Sequence, residues 1–585
     1  MDQKRLILAF AISIGIMLVF SFVQDRYFPH PAPTPAQLAT QQSPTAPAAP
    51  ATTGGTATQA APGAAQVAAA AGPRLMINAP SVSGSVELTG AVFDDVVLKK
   101  YHQTIAKNSP LVQLMGPRGS ARPSYAQFGW TAPSGIKVPN DHTLWSASAK
   151  LLTPQTPVTL SWNNGAGLTF QLVLSIDNHY MFNVQQRVIN HGTGAVQVFP
   201  WSRVVRDYVP VEPTSYILFN GPLGVFNNTL KQESYKTLKS DGEHAPGGTA
   251  FTETSPGGWI GITDKYWLTA VAPDQSVKFI GSMSYSKVND GGGSAYQTAF
   301  ISAAPLLVAP GASAGLESHL FIGAKVVKLL DAYQREYGIP NFYKAVDFGY
   351  LYIITKPIFF SLDYLNSLLG NFGLAIMVFT VGIKLLFFPL ASYSYRSMGK
   401  MKLVQPKIKA IREEFKDDTA KQQQATMALY KAEKINPASG CLPMLVQIPV
   451  FFSLYKVIFI TIEMRHAPFY GWIHDLSAPD PTNLFNLFGL LPFNPVLISP
   501  LLHIGALPMI MGFTMFLQQR LNPAPPDPVQ ARMFQFMPII FTFVLARSPA
   551  GLVLYWAWNN LLSVGQQWVI MRRAGRAARP STLKA

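Results

Sequence analysis

Hydrophobic positions along this chain change texture three times, and each texture predicts a different kind of element. Lys4 and Arg5 precede an uncharged, mostly apolar run from Leu6 to Val23, 18 residues long. The run exceeds the usual apolar core of a cleavable signal, and no small-x-small cleavage site follows at once. It therefore predicts a retained anchor over 1–26 with its N-terminus in the cytoplasm, a cleaved signal peptide being the weaker alternative. From Tyr27 to Pro73 there is no charged residue, and Pro, Ala, Thr, Gln and Gly dominate. Such a composition cannot build a core, so residues 27–73 read as a flexible tether, extended where prolines cluster.

The second texture, over residues 74–325, is a two-residue alternation broken by Gly, Pro and Asn turns. Leu168, Phe170, Leu172, Leu174 and Ile176 recur every second residue, Asp177-Asn178 offers a turn, and FNVQQRV resumes the alternation. Trp259, Ile260, Tyr266, Trp267 and Leu268 bracket Thr263-Asp264 in a second hairpin pattern. About 250 residues of this kind predict a large all-β sandwich. Because it follows the anchor, it is expected outside the cytoplasm.

The third texture is helical and apolar. Val326, Leu329, Leu330 and Tyr333 fall on a helical repeat, and YLYIITKPIFFSLDYLNSLL (350–369) is apolar but carries Lys356, Pro357 and Asp363. Spanning would bury those charges, so residues 326–370 read as a linker with an amphipathic helix in the outer interface. NFGLAIMVFTVGIKLLFFPL, Asn371 to Leu390, reads as a membrane-spanning helix. Further apolar segments are expected at Cys441–Ile462, His503–Leu517, Met533–Ala546 and Leu552–Met571, with an apolar, Pro-punctuated loop at Pro481–Pro500. The segment from Met533 is short for a bilayer, which predicts local thinning or shelter by neighbours. Asp527-Pro528 has the form of a helix cap followed by proline at the first helical position.

Charge orients these segments. The chain of 585 residues carries a formal +16 and is 48% hydrophobic but only 13% charged, which fits a membrane part joined to a soluble one. Residues 391–436 hold ten positives against five acids, and the tail (576–585) has Arg576, Arg579 and Lys584 with no acid. By the positive-inside rule both lie in the cytoplasm. Met401, Val404, Ile408 and Ile411 form one helix face, Lys416-Asp417-Asp418 can turn, and Ala425, Leu429 and Tyr430 supply a second face, predicting a two-helix hairpin. Its basic faces suit lipid head groups, nucleic acid or simply water. The expected fold is thus a multi-span α-helical membrane protein with six spans, both termini inside, and a large extracytoplasmic all-β domain after the first span.

Candidate chemistry is sparse. The single cysteine, Cys441, excludes an intrachain disulfide and a cysteine metal cluster. His102, His142, His179, His191, His244 and His319 show no metal-ligand spacing. A GxxxxGK[ST] loop is absent, so no nucleotide site is expected. Lys384 stands out, roughly 20 Å along its helix from Asn371 and so well inside a hydrocarbon layer about 30 Å thick. Such a cation either faces a wet interior or snorkels to the interface. Thr380 precedes it by one helical turn, and Gln447, Thr542, Asn559 and Asn560 also interrupt apolar segments. Each alone suits helix-to-helix hydrogen bonding; together they suggest a hydrophilic recess.

The stretches PLASYSYRSMGKMKLVQPKIKAIREE, ALYKAEKINPASGCLPMLVQIPVFFSLYK, RHAPFYGWIHDLSAPDP, FMPIIFTF and SPAGLVLYWAWNN resemble, in order, the YidC membrane protein insertases. The resemblance covers residues 356–573 closely, and the anchor, tether and β domain match the form found in bacteria with two membranes. It implies a core of five spans over 371–575, a groove open to cytoplasm and lipid, and a β-supersandwich resembling galactose mutarotase in fold without that activity. The family usually carries arginine where this chain has Lys384; lysine keeps the charge and loses the bidentate fork. Thr380, Gln447, Thr542, Tyr555, Trp556 and Asn559 are the expected groove lining beside Lys384. Lys400, Lys402, Lys407, Lys409 and Arg412 are the expected hairpin contacts.

By this resemblance the chain is an inner-membrane insertase and chaperone with its large domain in the periplasm. Nascent membrane proteins, the Sec translocon, the ribosome and anionic lipids are the implied partners, with no enzyme activity, small-molecule substrate, cofactor or metal. The rival classes are a secondary transporter or channel, for which no internal repeat is seen, and a periplasmic carbohydrate-active domain on an anchor.

Overall fold

The structure, a computed structural model, describes residues 72–210, 218–288, 293–416, 418–436, 442–499, 502–522 and 528–577. The expected N-terminal anchor, the tether up to residue 71, Cys441, Asp527 and the end of the tail lie outside the described residues.

Two antiparallel-dominated sheets form the β domain, one of 11 strands and one of nine. Strand Leu168–Ile176 buries every second residue and pairs with Met181–Asn190 through the turn at Asp177-Asn178. Trp259–Thr263 and Trp267–Pro273 form the second hairpin. Period-two alternation produces this outcome because successive side chains leave opposite faces of a strand. The apolar faces of the two sheets meet in an aromatic seam. Phe93 of one sheet lies edge-on to Phe182 of the other at 5.5 Å, and Trp130 meets Phe170 at 5.2 Å. Gln186 Nε2 donates across the sandwich to the Gly129 carbonyl at 2.7 Å. Helix α1 (Tyr235–Gly242) is capped by Ser234, which accepts from the Thr237 amide, and buries Leu238 against the strand Lys278–Val288.

Helix α2 (Val327–Glu336) closes the sandwich with Val327, Leu330 and Tyr333 buried. Helix α3 (Tyr352–Leu369) follows and buries Thr355, Ile358, Phe359 and Leu362. The charges that interrupt its apolar sequence pair with α2: Lys356 with Asp331 at 2.9 Å and Lys328 with Asp363 at 2.5 Å. Gly370 ends α3 at φ 66°, a left-handed cap that glycine adopts without penalty, and Asn371 caps α4 (Phe372–Leu386) by accepting from the Leu374 amide.

The continuous span expected over Asn371–Leu390 is corrected here. Helix α4 stops at Leu386, and α5 (Phe388–Glu414) leaves at 68° to it. Pro389 has no amide hydrogen and its ring collides with the carbonyl four residues back, so the helical ladder cannot pass it. Helix α5 therefore enters the hairpin without interruption and meets α6 (Thr419–Ala432), with Val404, Ile408, Tyr430 and Ile435 as their small core. The remaining helices are α7 (Leu442–Ile460), α8 (Ala506–Leu521), α9 (Pro528–Leu545) and α10 (Ala550–Ala577). Among the described residues no single helix is long and apolar enough to cross a membrane; the bent pair α4 and α5 passes that test together. The apolar loop before α8 forms two short 3-10 turns, Leu484–Gly489 and Pro495–Leu497.

Outer loops of the helical body seat the β domain. Arg465 donates to the His102 and Gln103 carbonyls at 2.7 and 3.1 Å and lies over Tyr266 and Trp267. Glu463 accepts from the Val327 amide at 3.1 Å, capping α2, whose own cap residue Val326 has no side-chain acceptor.

Candidate functional site

Helix α10 is the hub of the helical body, packing against α4, α5, α7 and α8. Its polar residues recur at helical spacing: Tyr555 and Trp556, Asn559 and Asn560, Ser563, then Gln566 and Gln567. Steps of three to five residues place them along adjoining faces of one helix, so each can meet a different neighbour.

Lys384, in the last turn of α4, extends its Nζ to Ser563 Oγ at 2.7 Å, and Ser563 donates in turn to the Asn559 carbonyl at 2.8 Å. An ammonium has three donors, and here one carbon-bound oxygen takes one of them. No carboxylate among the described residues pairs with it. Beside it Leu385 and Leu386 are 66% and 68% exposed, an apolar exterior. The arrangement is a cation at the rim between a polar helix seam and a lipid-like face, able to attract an anion and to donate hydrogen bonds.

The other expected lining residues divide among several contacts. Gln447 of α7 donates to the Tyr555 hydroxyl. Trp556 packs between Phe451 of α7 at 4.6 Å and Phe541 of α9 at 5.3 Å. Asn559 is buried, with its carbonyl serving Ser563. Thr380 and Thr542 turn their hydroxyls onto their own helices, to the Ile376 and Pro538 carbonyls. Thr542 also fills the space left by Gly512 of α8, where any Cβ would collide with it. The structure thus brings Lys384 and Asn559 to one place and Gln447, Tyr555 and Trp556 to another on the same helix; the two threonines satisfy themselves.

Several polar residues were not singled out by the sequence reading. Ser563 is the partner of Lys384, and Trp558 Nε1 donates to the Met377 carbonyl at 3.1 Å; Asn560, which the sequence did single out, reaches Thr514 at 3.4 Å. Gln567 bonds Leu521 and Asn522 at the end of α8, whereas neither side-chain polar atom of Gln566 has a partner. The signal was available: Ser563 and Gln567 continue the four-residue step that begins at Tyr555 and Asn559.

The hairpin positions also separate. Lys402 donates to the Leu521 carbonyl at 2.9 Å, and Lys407 pairs with Glu433 at 2.7 Å. Arg412 offers its carbonyl to Gln422 at 3.4 Å, while Lys400 and Lys409 are exposed. Among the described residues no group of three or more His, Cys, Asp or Glu side chains could hold a metal ion.

A β-sandwich seated on a helical body, whose exterior is rich in exposed Leu, Ile and Phe and whose seam holds a cation with no carboxylate partner among the described residues, defines a two-part membrane protein. A family model described as "YidC periplasmic domain" matches residues 74–361, and one described as "60Kd inner membrane protein" matches residues 364–577. The membrane protein insertase YidC of Granulibacter bethesdensis is 55% identical over 100% of both chains, and that of Acidiphilium cryptum is 57% identical over 87% of this chain and 86% of its own. The chain belongs to the YidC family of membrane protein insertases, and its β domain is the family's periplasmic domain. A crystal structure of an active YidC insertase aligns at a TM-score of 0.35 and 18% identity, covering 85% of this chain and 92% of that one.

Proposed function

We propose that this chain inserts newly made membrane proteins by drawing their short polar flanks toward Lys384 while their apolar segments pass sideways into lipid. Its high-identity relatives are named as insertases, and it is read here as one of them rather than as an enzyme, transporter or channel. The observation that carries the mechanism is the Lys384 ammonium, held by Ser563 Oγ at 2.7 Å with no acid beside it among the described residues. At an effective dielectric of about 20, a carboxylate about 4 Å from a cation gains about 4 kcal/mol, against about 1 kcal/mol in water. An acidic flank entering from the cytoplasm supplies the counter-charge that no described residue provides, while unpaired polar groups elsewhere in hydrocarbon cost several kcal/mol each.

In this reading six spans cross the inner membrane with both termini in the cytoplasm. The short apolar helices and the bend before α5 suit a locally thinned bilayer. Thr380, Gln447, Thr542, Tyr555, Trp556 and Asn559 line a hydrophilic groove with Lys384, α7 and α9 forming its lipid-side walls. The hairpin and tail receive ribosomes, the Sec translocon and anionic lipid, with Lys400 and Lys409 the residues freest to reach out. No cofactor takes part.

The test is insertion into vesicles of a single-span client with an acidic flank. Lys384→Arg retains most activity, whereas Lys384→Glu lowers it by at least about tenfold, since repulsion replaces attraction. Equal rates for all three proteins would eliminate the charge mechanism.

A further inference from the structure

Helices α2 and α3 enclose a cleft of about 510 Å³ lined by Lys328, Asp331, Gln334, Arg335, Lys356 and Phe360. Its charges do not balance. Lys356 is matched by Asp331 and Lys328 by Asp363, but the Arg335 guanidinium pairs with no carboxylate among the described residues; only its Nε is engaged, on the Asp331 carbonyl at 3.2 Å. One positive charge is left over, carried by a residue that is exposed and able to swing.

The cleft also has an apolar side. Ile353, Phe360, Tyr364 and Leu368 recur at seven, four and four residues along α3, which puts them in one stripe. They are 72%, 36%, 63% and 64% exposed, and Phe360 belongs to both the stripe and the cleft wall. Lys356 is fixed at the junction, its Nζ 4.1 Å from the Tyr343 ring centre. A singly charged anionic head joined to hydrocarbon chains matches such a surface: phosphate at Arg335 and the two lysines, chains along the stripe. Soluble phosphate would use the first half and leave the stripe uncovered.

We propose that the cleft between α2 and α3 binds one anionic phospholipid, of the phosphatidylglycerol type, from the outer leaflet. The site joins the β domain to the membrane surface, because α2 closes the sandwich and α3 carries the stripe. The inference rests on α3 lying at the membrane, as in the function proposed above, but not on insertion itself, and its readout is lipid retention rather than insertion.

The full chain in mild detergent is offered equal amounts of phosphatidylglycerol and phosphatidylethanolamine, and bound lipid is counted by native mass spectrometry. The wild type keeps one phosphatidylglycerol in preference. Arg335→Ser reduces that retention about fivefold, the effect of one basic residue at a lipid surface, and Arg335→Lys restores most of it. Lys150→Ser, at an exposed lysine of the sandwich, leaves it unchanged. Equal retention of the two lipids, or no change in Arg335→Ser, overturns the proposal. Displacement of the lipid by millimolar inorganic phosphate overturns it as well, in favour of a soluble-anion site. Insertion measured in parallel on the same samples keeps a failure here distinct from a failure of the insertase reading.

Discussion

The β domain and the helical body differ in how they hold charged groups and apolar surface. In the sandwich two arginines with little exposed side chain are paired with carboxylates. Arg206 holds Asp264 through two bonds of 2.7 and 2.8 Å and the Tyr235 hydroxyl at 2.9 Å, and Arg74 pairs with Asp94. In the helical body Lys384 has a hydroxyl where an acid would be expected, and the polar atoms of Gln566 and the Ser453 hydroxyl have no partner. Apolar residues are inverted as well: Phe182 is fully buried between sheets, while Phe543 on α9 is 49% exposed. Unmatched polar atoms occur in both parts, since the indole nitrogens of Trp130 and Trp145, Asp207 Oδ1 and Thr298 Oγ1 are buried in the sandwich without partners. What sets the helical body apart is the apolar surface it leaves uncovered, beside a cation with no carboxylate partner among the described residues.

The widest gap should appear when the same truncation is made on both sides. Phe182→Ala removes a ring packed against Phe93 and should cost about 3–5 kcal/mol. Phe543→Ala removes a ring from an already exposed face and should cost less than about 1 kcal/mol. Denaturant unfolding of the full chain in detergent, followed by tryptophan fluorescence, measures both. Similar costs would break the contrast.

Charge removal sharpens it. Arg206→Met strands Asp264 in the sandwich and should cost about 3 kcal/mol, and adding Asp264→Leu should recover most of that, because breaking a buried pair is worse than deleting it. Lys384→Met strands no charge, so stability should hold or rise while insertion of an acidic-flank client falls. If Lys384→Met destabilised the chain as much as Arg206→Met, the lysine would have a structural counter-ion and the insertion argument would lose its footing.

The same contrast explains what could be read from the chain. Alternation at Leu168–Ile176 and the turn at Asp177-Asn178 made a hairpin legible, since strand register depends on neighbours a few residues away. The cores of the α5–α6 hairpin were legible in Val404, Ile408 and Tyr430 for the same reason. The break at Phe387 was not, although Pro389 was visible, because an apolar run on both sides of a proline suits a span and a bend equally. Long-range pairs were out of reach: Asp331 with Lys356, Lys328 with Asp363, and Glu463 with the start of α2, 136 residues away. For the candidate site, Lys384 was found because a cation in hydrocarbon is costly. Ser563 was passed over because a single serine in a helix carries little cost and so little signal.

Glu463 gives the smallest effect, and one with a defined pH signature. Its Oε1 caps α2, but Oε2 is shut off from solvent with no partner. Burial is the main cause that lifts its carboxyl from the ordinary 4.5 to about 7; Asp363 nearby raises it further, while the Val327 amide and Lys328 act in the other direction. A carboxyl with a raised folded-state value binds its proton more tightly folded than unfolded. Its contribution is therefore fully present below about pH 4.5, is lost as pH rises through the window up to about 7, and changes no further above it. Each unit is worth about 1.4 kcal/mol before relaxation, so a loss on the order of 1–2 kcal/mol across the window is expected. Glu463→Gln keeps an acceptor for the Val327 amide and carries no charge, so its stability should be flat over the same range and exceed that of the wild type at pH 8. Parallel pH profiles for the two proteins would show that water or a cation reaches the carboxylate at this junction.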